Sequence, residues 1–240
     1  MVRRRTLDRL LSRLGLCSRG AAVELVRAGR VAVNGRTARD PGAWIDPADH
    51  VTLDGRALGA AEPRYLCLHK PKGYLTSFGD PRGRRTVYEL LEQLDAWVFP
   101  VGRLDKDTSG LLLLTNDSAF AERVTNPEFG IPKLYRAAVA PRVDEPDLAA
   151  LRAGLELDDG PTLPARAELI GHRGPTSVVE LEIREGRNRQ VRRMFRARGK
   201  SVRELRRLAI GPVELGRLPS GAVRALSAGE RRALERAGRP

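Results

Sequence analysis

The chain has 240 residues, with 43 Lys and Arg against 30 Asp and Glu, a net charge of +13. At 41% hydrophobic residues it can bury a core, which excludes a disordered polycation. Two cysteines exclude a disulfide framework, the three histidines lie in unrelated contexts with no zinc spacing, and no run of about 18 apolar residues can span a membrane. The expectation is a cytoplasmic protein with a polyanionic partner. Arg over Lys is explained as well by a GC-rich genome as by phosphate recognition, but codon bias does not explain why bases exceed acids by 13.

In chain order, Leu7, Leu10, Leu11 and Leu14 recur at helical spacing, with Gly15 placed to end the helix. Asp8, Arg9, Ser12 and Arg13 break residues 7–16, so the stretch behind the basic Met1–Arg5 flank is not a signal-peptide core. Ser18 suits the N-cap of a second helix carrying Ala22, Leu25 and Val26 and stopped at Gly29. Val31-Ala32-Val33 runs into Asn34-Gly35, a strong hairpin turn, and a second pair of short strands flanks Asp54-Gly55. Residues 59–63 read as a linker. Residues 1–36 hold nine Arg and two acids, whereas residues 37–62 hold two Arg and five acids, so one part of this segment is basic and the other acidic.

Strands are expected at 65–69, stopped by Pro71, at 111–115 as a run buried on both faces, at 133–139 and at 177–183. Helices are expected after Asn116-Asp117-Ser118, at 144–153, at 187–198, and after the capping box Ser227-Ala228-Gly229-Glu230. Cys17 and Cys67 read as small packing residues. The basic loop Gly79-Asp80-Pro81-Arg82-Gly83-Arg84-Arg85 is open between an RNA contact and a solvated turn. Residues 184–210 hold eleven bases and two acids, a basic stripe on one helix and the strand after it. The fold class is α+β: a small N-terminal module at 1–60, then a mixed, mainly antiparallel sheet with flanking helices at 61–240.

Two resemblances rest on these segments. Arg5-Thr6-Leu7-Asp8-Arg9-Leu10-Leu11, Gly15-Leu16-Cys17-Ser18-Arg19 and Gly29-Arg30-Val31-Ala32-Val33-Asn34-Gly35-Arg36 together resemble the small RNA-binding module first named for ribosomal protein S-four. That likeness implies RNA contacts from Arg5, Arg9, Ser18, Arg19, Arg27, Arg30 and Asn34. His69-Lys70-Pro71-Lys72-Gly73, Gly102-Arg103-Leu104-Asp105 before Ser109-Gly110, Lys133-Leu134-Tyr135-Arg136 and Glu185-Gly186-Arg187-Asn188-Arg189-Gln190-Val191-Arg192-Arg193 resemble the ribosomal RNA pseudouridine synthases that carry such a module (the RsuA/RluB type). The likeness covers nearly the whole chain.

It implies that Asp105 is the catalytic aspartate, in a loop at the sheet edge, that Tyr135 stacks on the target base, and that Arg192 pairs with the aspartate. Arg103 would lie near the position the flipped base vacates, and Arg187, Arg189 and Arg193 would contact RNA. It implies no cofactor and no metal, because isomerising uridine involves neither redox change nor net hydrolysis. Asp105 either attacks the sugar or assists its deprotonation. The implied partner is ribosomal RNA, 23S favoured over 16S, or a ribosome assembly intermediate; a monomer is expected because no apolar heptad or surplus hydrophobic helix calls for a partner. A non-catalytic RNA-binding or assembly protein on the same scaffold would not need Asp105, Tyr135 and Arg192 together. A DNA-binding regulator built on the two basic helices is opposed by the Asn34-Gly35 hairpin and the synthase motifs.

Overall fold

A computed structural model describes residues 5–46, 48–59, 61–94 and 96–237. Arg3 and Arg4 of the basic flank and Ala60 of the expected linker lie outside the described residues. The chain divides into two compact units: residues 1–65 with the segments 94–99 and 114–119, and the remaining residues.

The first unit contains β1 (Arg5–Thr6), α1 (Leu7–Arg13), α2 (Arg19–Arg27), β2 (Val31–Val33), β3 (Arg36–Thr37), β4 (Trp44–Ile45), β5 (Val51–Leu53) and β6 (Arg56–Ala57). Gly15 and Gly29 follow α1 and α2 at φ +73° and +74°, the left-handed position where a glycine ends a helix at least cost. Ser18 caps α2 as expected, its hydroxyl accepting from the Ala21 amide at 3.0 Å. Asn34-Gly35 and Asp54-Gly55 turn with both central residues at positive φ, the geometry that matches the twist of a two-residue hairpin. The sheet runs β3-β2-β5-β6, and Leu7, Leu11, Ala22, Val26, Val31, Ile45 and Val51 close the core of the unit.

The larger part of the chain supplies β7 (Tyr65–Lys70), β8 (Phe99–Val101), β9 (Thr108–Thr115), α3 (Ser118–Thr125), β10 (Lys133–Ala140), α4 (Glu145–Ala153), β11 (Glu156–Leu157), β12 (Gly160–Pro161), β13 (Arg166–Arg173), β14 (Thr176–Ile183), α5 (Gln190–Ala197), β15 (Ser201–Ile210), β16 (Val213–Glu214), β17 (Val223–Ala225) and α6 (Ala228–Arg236). Seven strands run in the order β13-β14-β10-β15-β9-β7-β17, with β8 and β16 attached to β9 and β15. The β9–β15 pair is parallel, while β10 runs antiparallel to both β14 and β15. The fold is therefore α+β with a mainly antiparallel sheet, as expected.

Leu111, Leu112, Leu113 and Leu114 of β9 are all fully buried, as a strand covered on both faces requires. α4 and α5 pack Leu148, Leu151, Val191, Met194 and Phe195 onto Val139, Val179 and Leu181. Each such side chain contributes about 1.5–3 kcal/mol. The expected helix at 187–198 starts three residues late. Arg189 precedes it at φ +48°, so Arg187-Asn188-Arg189 is a loop and α5 begins at Gln190.

Candidate active site

The loop 102–107 joins β8 to β9 and brings Asp105 to the mouth of a cavity of about 430 Å³, lined also by Lys133, Tyr135, Arg189, Leu205 and Arg207. β9 lies between β15 and β7, so this loop stands at the end of a central strand rather than at a lateral sheet edge. Lys70 holds the loop. Its side chain is fully buried at the end of β7, and Nζ donates to the carbonyls of Pro71 (3.0 Å), Asp105 (3.1 Å) and Thr108 (2.8 Å). Thr76 adds a second tie, its hydroxyl donating to the Leu104 carbonyl at 2.8 Å. The backbone around Asp105 is thus fixed by groups that do not touch its carboxylate.

That carboxylate is 28% exposed and meets Arg189, with Nη1 to Oδ2 at 3.5 Å. The resemblance implied Arg192 as this partner; in the structure the ion pair is with Arg189, and Arg192 feels the Asp105 charge without pairing with it. Arg192 donates instead to the carbonyls of Val202 (2.9 Å) and Asp107 (3.1 Å). Burial and the like charge of Arg189 push its pKa down, while Asp105 and Asp107 oppose that shift. The left-handed turn at Arg189 explains the exchange: it projects Arg189 from the helix start, whereas Arg192 lies one turn further along α5 and reaches β15.

Tyr135 stands on β10 directly across from Arg207 on β15, and Arg207 stands in turn across from Gly110 on β9. The Arg207 guanidinium is buried. It donates through Nε to the Leu111 carbonyl (2.8 Å) and through Nη1 to the Tyr135 hydroxyl (3.4 Å). The tyrosine at the cavity is therefore held at its hydroxyl by a fixed cation, whose guanidinium carbon also lies 5.9 Å from the centre of the ring.

The basic stripe carries less open charge than its count suggests. Arg193 reaches Asp159 with both Nη atoms (2.7 and 2.8 Å) and Arg187 joins at 3.1 Å. The Arg193 hydrogen bonds hold Asp159 down to about 2. Arg187 also pairs with Glu185 at 3.1 Å. Arg187 and Arg193 thus clamp the β11–β12 hairpin, whereas Arg103 and Arg189 are exposed at the cavity.

In the first unit, Arg19 pairs with Asp8 (2.5 Å), Arg30 with Asp54 (2.5 Å) and Arg27 with Glu24 (3.7 Å). Asn34 ties Asp49 and the His50 amide, each at 2.8 Å, so it and Ser18 hold local structure. Arg9 is exposed on α1 and Arg5 is half-buried on β1. Among the described residues, no group of three or more His, Cys, Asp or Glu is placed to hold a metal ion. Burial pushes both the Cys17 and Cys67 thiols up, as suits packing residues.

Lys70, Thr76, Lys133 and Arg207 were not among the expected site residues. Lys133 carried one readable signal: it lies two residues before Tyr135 on a strand, hence on the same face. Burial, and then the like charge of Arg207, push Lys133 down to about 8 from its ordinary 10.5. Between those values the unfolded chain binds more protons, so this group makes stability rise with pH. The thermal midpoint of the native chain relative to Lys133→Met is expected to climb from about pH 8 to 10.5; a flat difference would contradict a buried ammonium.

Family models describing an RNA pseudouridylate synthase and an S4 domain match residues 64–197 and 5–56. An RNA pseudouridine synthase of Aquifex aeolicus, itself uncharacterised, is 41% identical over 226 residues, covering 93% of this chain and 91% of the relative. The ribosomal large subunit pseudouridine synthase B of Bacillus subtilis is 38% identical over 223 residues, covering 92% and 91%. A crystal structure of a pseudouridylate synthase superposes with a TM-score of 0.70 at 33% identity, over 95% of this chain and 99% of the other.

Proposed function

Because the chain belongs to the RNA pseudouridylate synthase family, we propose that it isomerises one uridine of large-subunit ribosomal RNA, with Asp105 acting at the ribose and Tyr135 stacking on the base. The observation that carries the residue roles is that the Asp105 carboxylate and the Tyr135 ring line one cavity, on a loop and a strand fixed from behind by Lys70 and Arg207. A base must leave its stack to enter such a cavity, at a cost of a few kcal/mol that stacking and edge contacts offset. Arg189 stands 3.5 Å from the carboxylate as its ion-pair partner, and Arg103 borders the RNA path. The choice of the large subunit rests on the named relative from Bacillus subtilis. Unmodified transcripts of both ribosomal RNAs test it: one pseudouridine should form in the 23S transcript, and a site in the 16S transcript instead would refute the assignment.

Residues 1–60 act as the docking module and residues 61–240 as the catalytic domain of a cytoplasmic monomer. Among the described residues no helix is long and apolar enough to cross a membrane. Phosphate contacts release counterions, and each one removed takes about 0.9 from the slope of log affinity against log salt. Arg9 and Arg13 are exposed on α1. Replacing both by Ala is expected to weaken binding and lower the slope by about 1–2. An unchanged slope would remove α1 from the RNA interface.

A further inference from the structure

The floor of the cavity holds two nearly buried cations that the roles above leave without an electrostatic purpose. Lys133 is 9% exposed and Arg207 is 4% exposed. Removing an ion from water is expensive unless an opposite charge or hydrogen bonds replace the solvent. Lys70 shows how this chain meets that cost, with three carbonyls around one ammonium. Among the described residues neither Lys133 nor Arg207 forms an ion pair. The two carboxylates lining the same cavity are already engaged: Asp105 with Arg189, and Glu185 with Arg187, Gln190 and the Leu163 amide. Two polar atoms beside the cavity, Thr108 Oγ1 and Arg207 Nη2, are buried without a hydrogen-bond partner. Like charges held together at nearly buried positions destabilise the folded chain, and an anionic group entering the cavity would reverse that sign.

On the pseudouridine synthase reading the substrate supplies such a group. We propose that Lys133, with Arg207 behind it, is the receptor for the negative charge of the detached uracil, its ammonium contacting the ring carbonyl oxygens. When the bond between C1′ and N1 breaks heterolytically, the electron pair stays with N1 and spreads over O2 and O4. The ring turns, C5 bonds to C1′, C5 loses its proton and N1 gains one, so atoms and charge balance without a co-reactant. A fixed ammonium at the carbonyls is worth most while the ring is anionic and little while it is neutral, so it favours bond cleavage rather than RNA binding. Arg207 joins the two tasks, since it adds positive charge and also holds the hydroxyl of the stacking Tyr135.

The test is single-turnover kinetics of Lys133→Met on a ribosomal RNA fragment carrying either uridine or 5-fluorouridine at the target. Fluorine stabilises the detached anion and so replaces part of what the ammonium supplies. With uridine the rate should fall by about 100-fold or more, as when a donor to a developing anion is removed, with RNA affinity changed less than about twofold. With 5-fluorouridine the defect in substrate consumption should shrink by roughly tenfold. The thermal midpoint at neutral pH should hold or rise, because a buried unpaired charge has gone. A rate within about threefold of the native chain overturns the proposal, as does an equal defect on both substrates or a rate loss that tracks a lowered midpoint. Failure of the native chain itself to make pseudouridine would instead strike the functional reading on which the proposal rests.

Discussion

Asp105→Asn should abolish pseudouridine formation, a loss on the order of the 10⁴–10⁶-fold seen when an essential catalytic group is removed, while RNA affinity stays within about twofold. The substitution keeps the size of the side chain and removes its charge. It leaves the loop in place, because Lys70 and Thr76 hold backbone atoms there and not the carboxylate. It weakens the 3.5 Å pair with Arg189, whose exposure makes that pair worth little in stability. Folding and chemistry are therefore separable at this position. Since the reaction expels the proton on C5, tritium release from RNA labelled at that carbon reads the chemistry, and filter binding reads affinity. Appreciable turnover by a folded Asp105→Asn chain would remove the aspartate from the mechanism.

Gly110→Ala is expected to have the largest effect on the fold. Gly110 lies at φ +114° opposite Arg207 in the parallel β9–β15 pair, and a Cβ there would stand 2.2 Å from the Arg207 carbonyl oxygen and 2.5 Å from its amide nitrogen. Both are backbone atoms of a central strand, so no rotamer change relieves the clash. Positive φ alone costs about 1–2 kcal/mol for a residue with a Cβ. Separating two central strands adds to that, and a loss above about 4 kcal/mol, or failure to fold, is expected. Gly35→Ala is the control: it shares the positive φ, +77°, but nothing lies within 4 Å. Its cost should stay near the backbone figure. Equal midpoints for the two variants would contradict the close approach of β9 to β15.

Elements set by local chemistry were legible in the chain: the Ser18 cap, the glycine stops at 15 and 29, the Asn34-Gly35 turn and the four-leucine run of β9. Those set by long-range partners were not. β13 escaped notice because a register shift between Leu169 and Gly171 breaks its alternation. The helix start moved because Arg189 adopts a left-handed turn that composition does not mark. The position of Asp105 and Tyr135 at one cavity followed from motif resemblance, but the identity of the arginine beside Asp105 did not. Four arginines lie within residues 187–193, and their fates depend on Asp159, Val202 and Asp107, distant in sequence. For the same reason a count of eleven bases overstated the open positive surface. Lys133 and Arg207 were hidden because a basic residue on a strand reads as a solvated face until its burial is known.

The central claim, that this chain makes one pseudouridine in large-subunit ribosomal RNA through Asp105, is tested most directly by mapping pseudouridines in ribosomal RNA from cells lacking the protein. The map should be compared after return of the native chain and of Asp105→Asn. A single site in 23S RNA should disappear, return with the native chain and stay absent with the variant. Loss of no site, loss of a 16S site, or restoration by Asp105→Asn would contradict it.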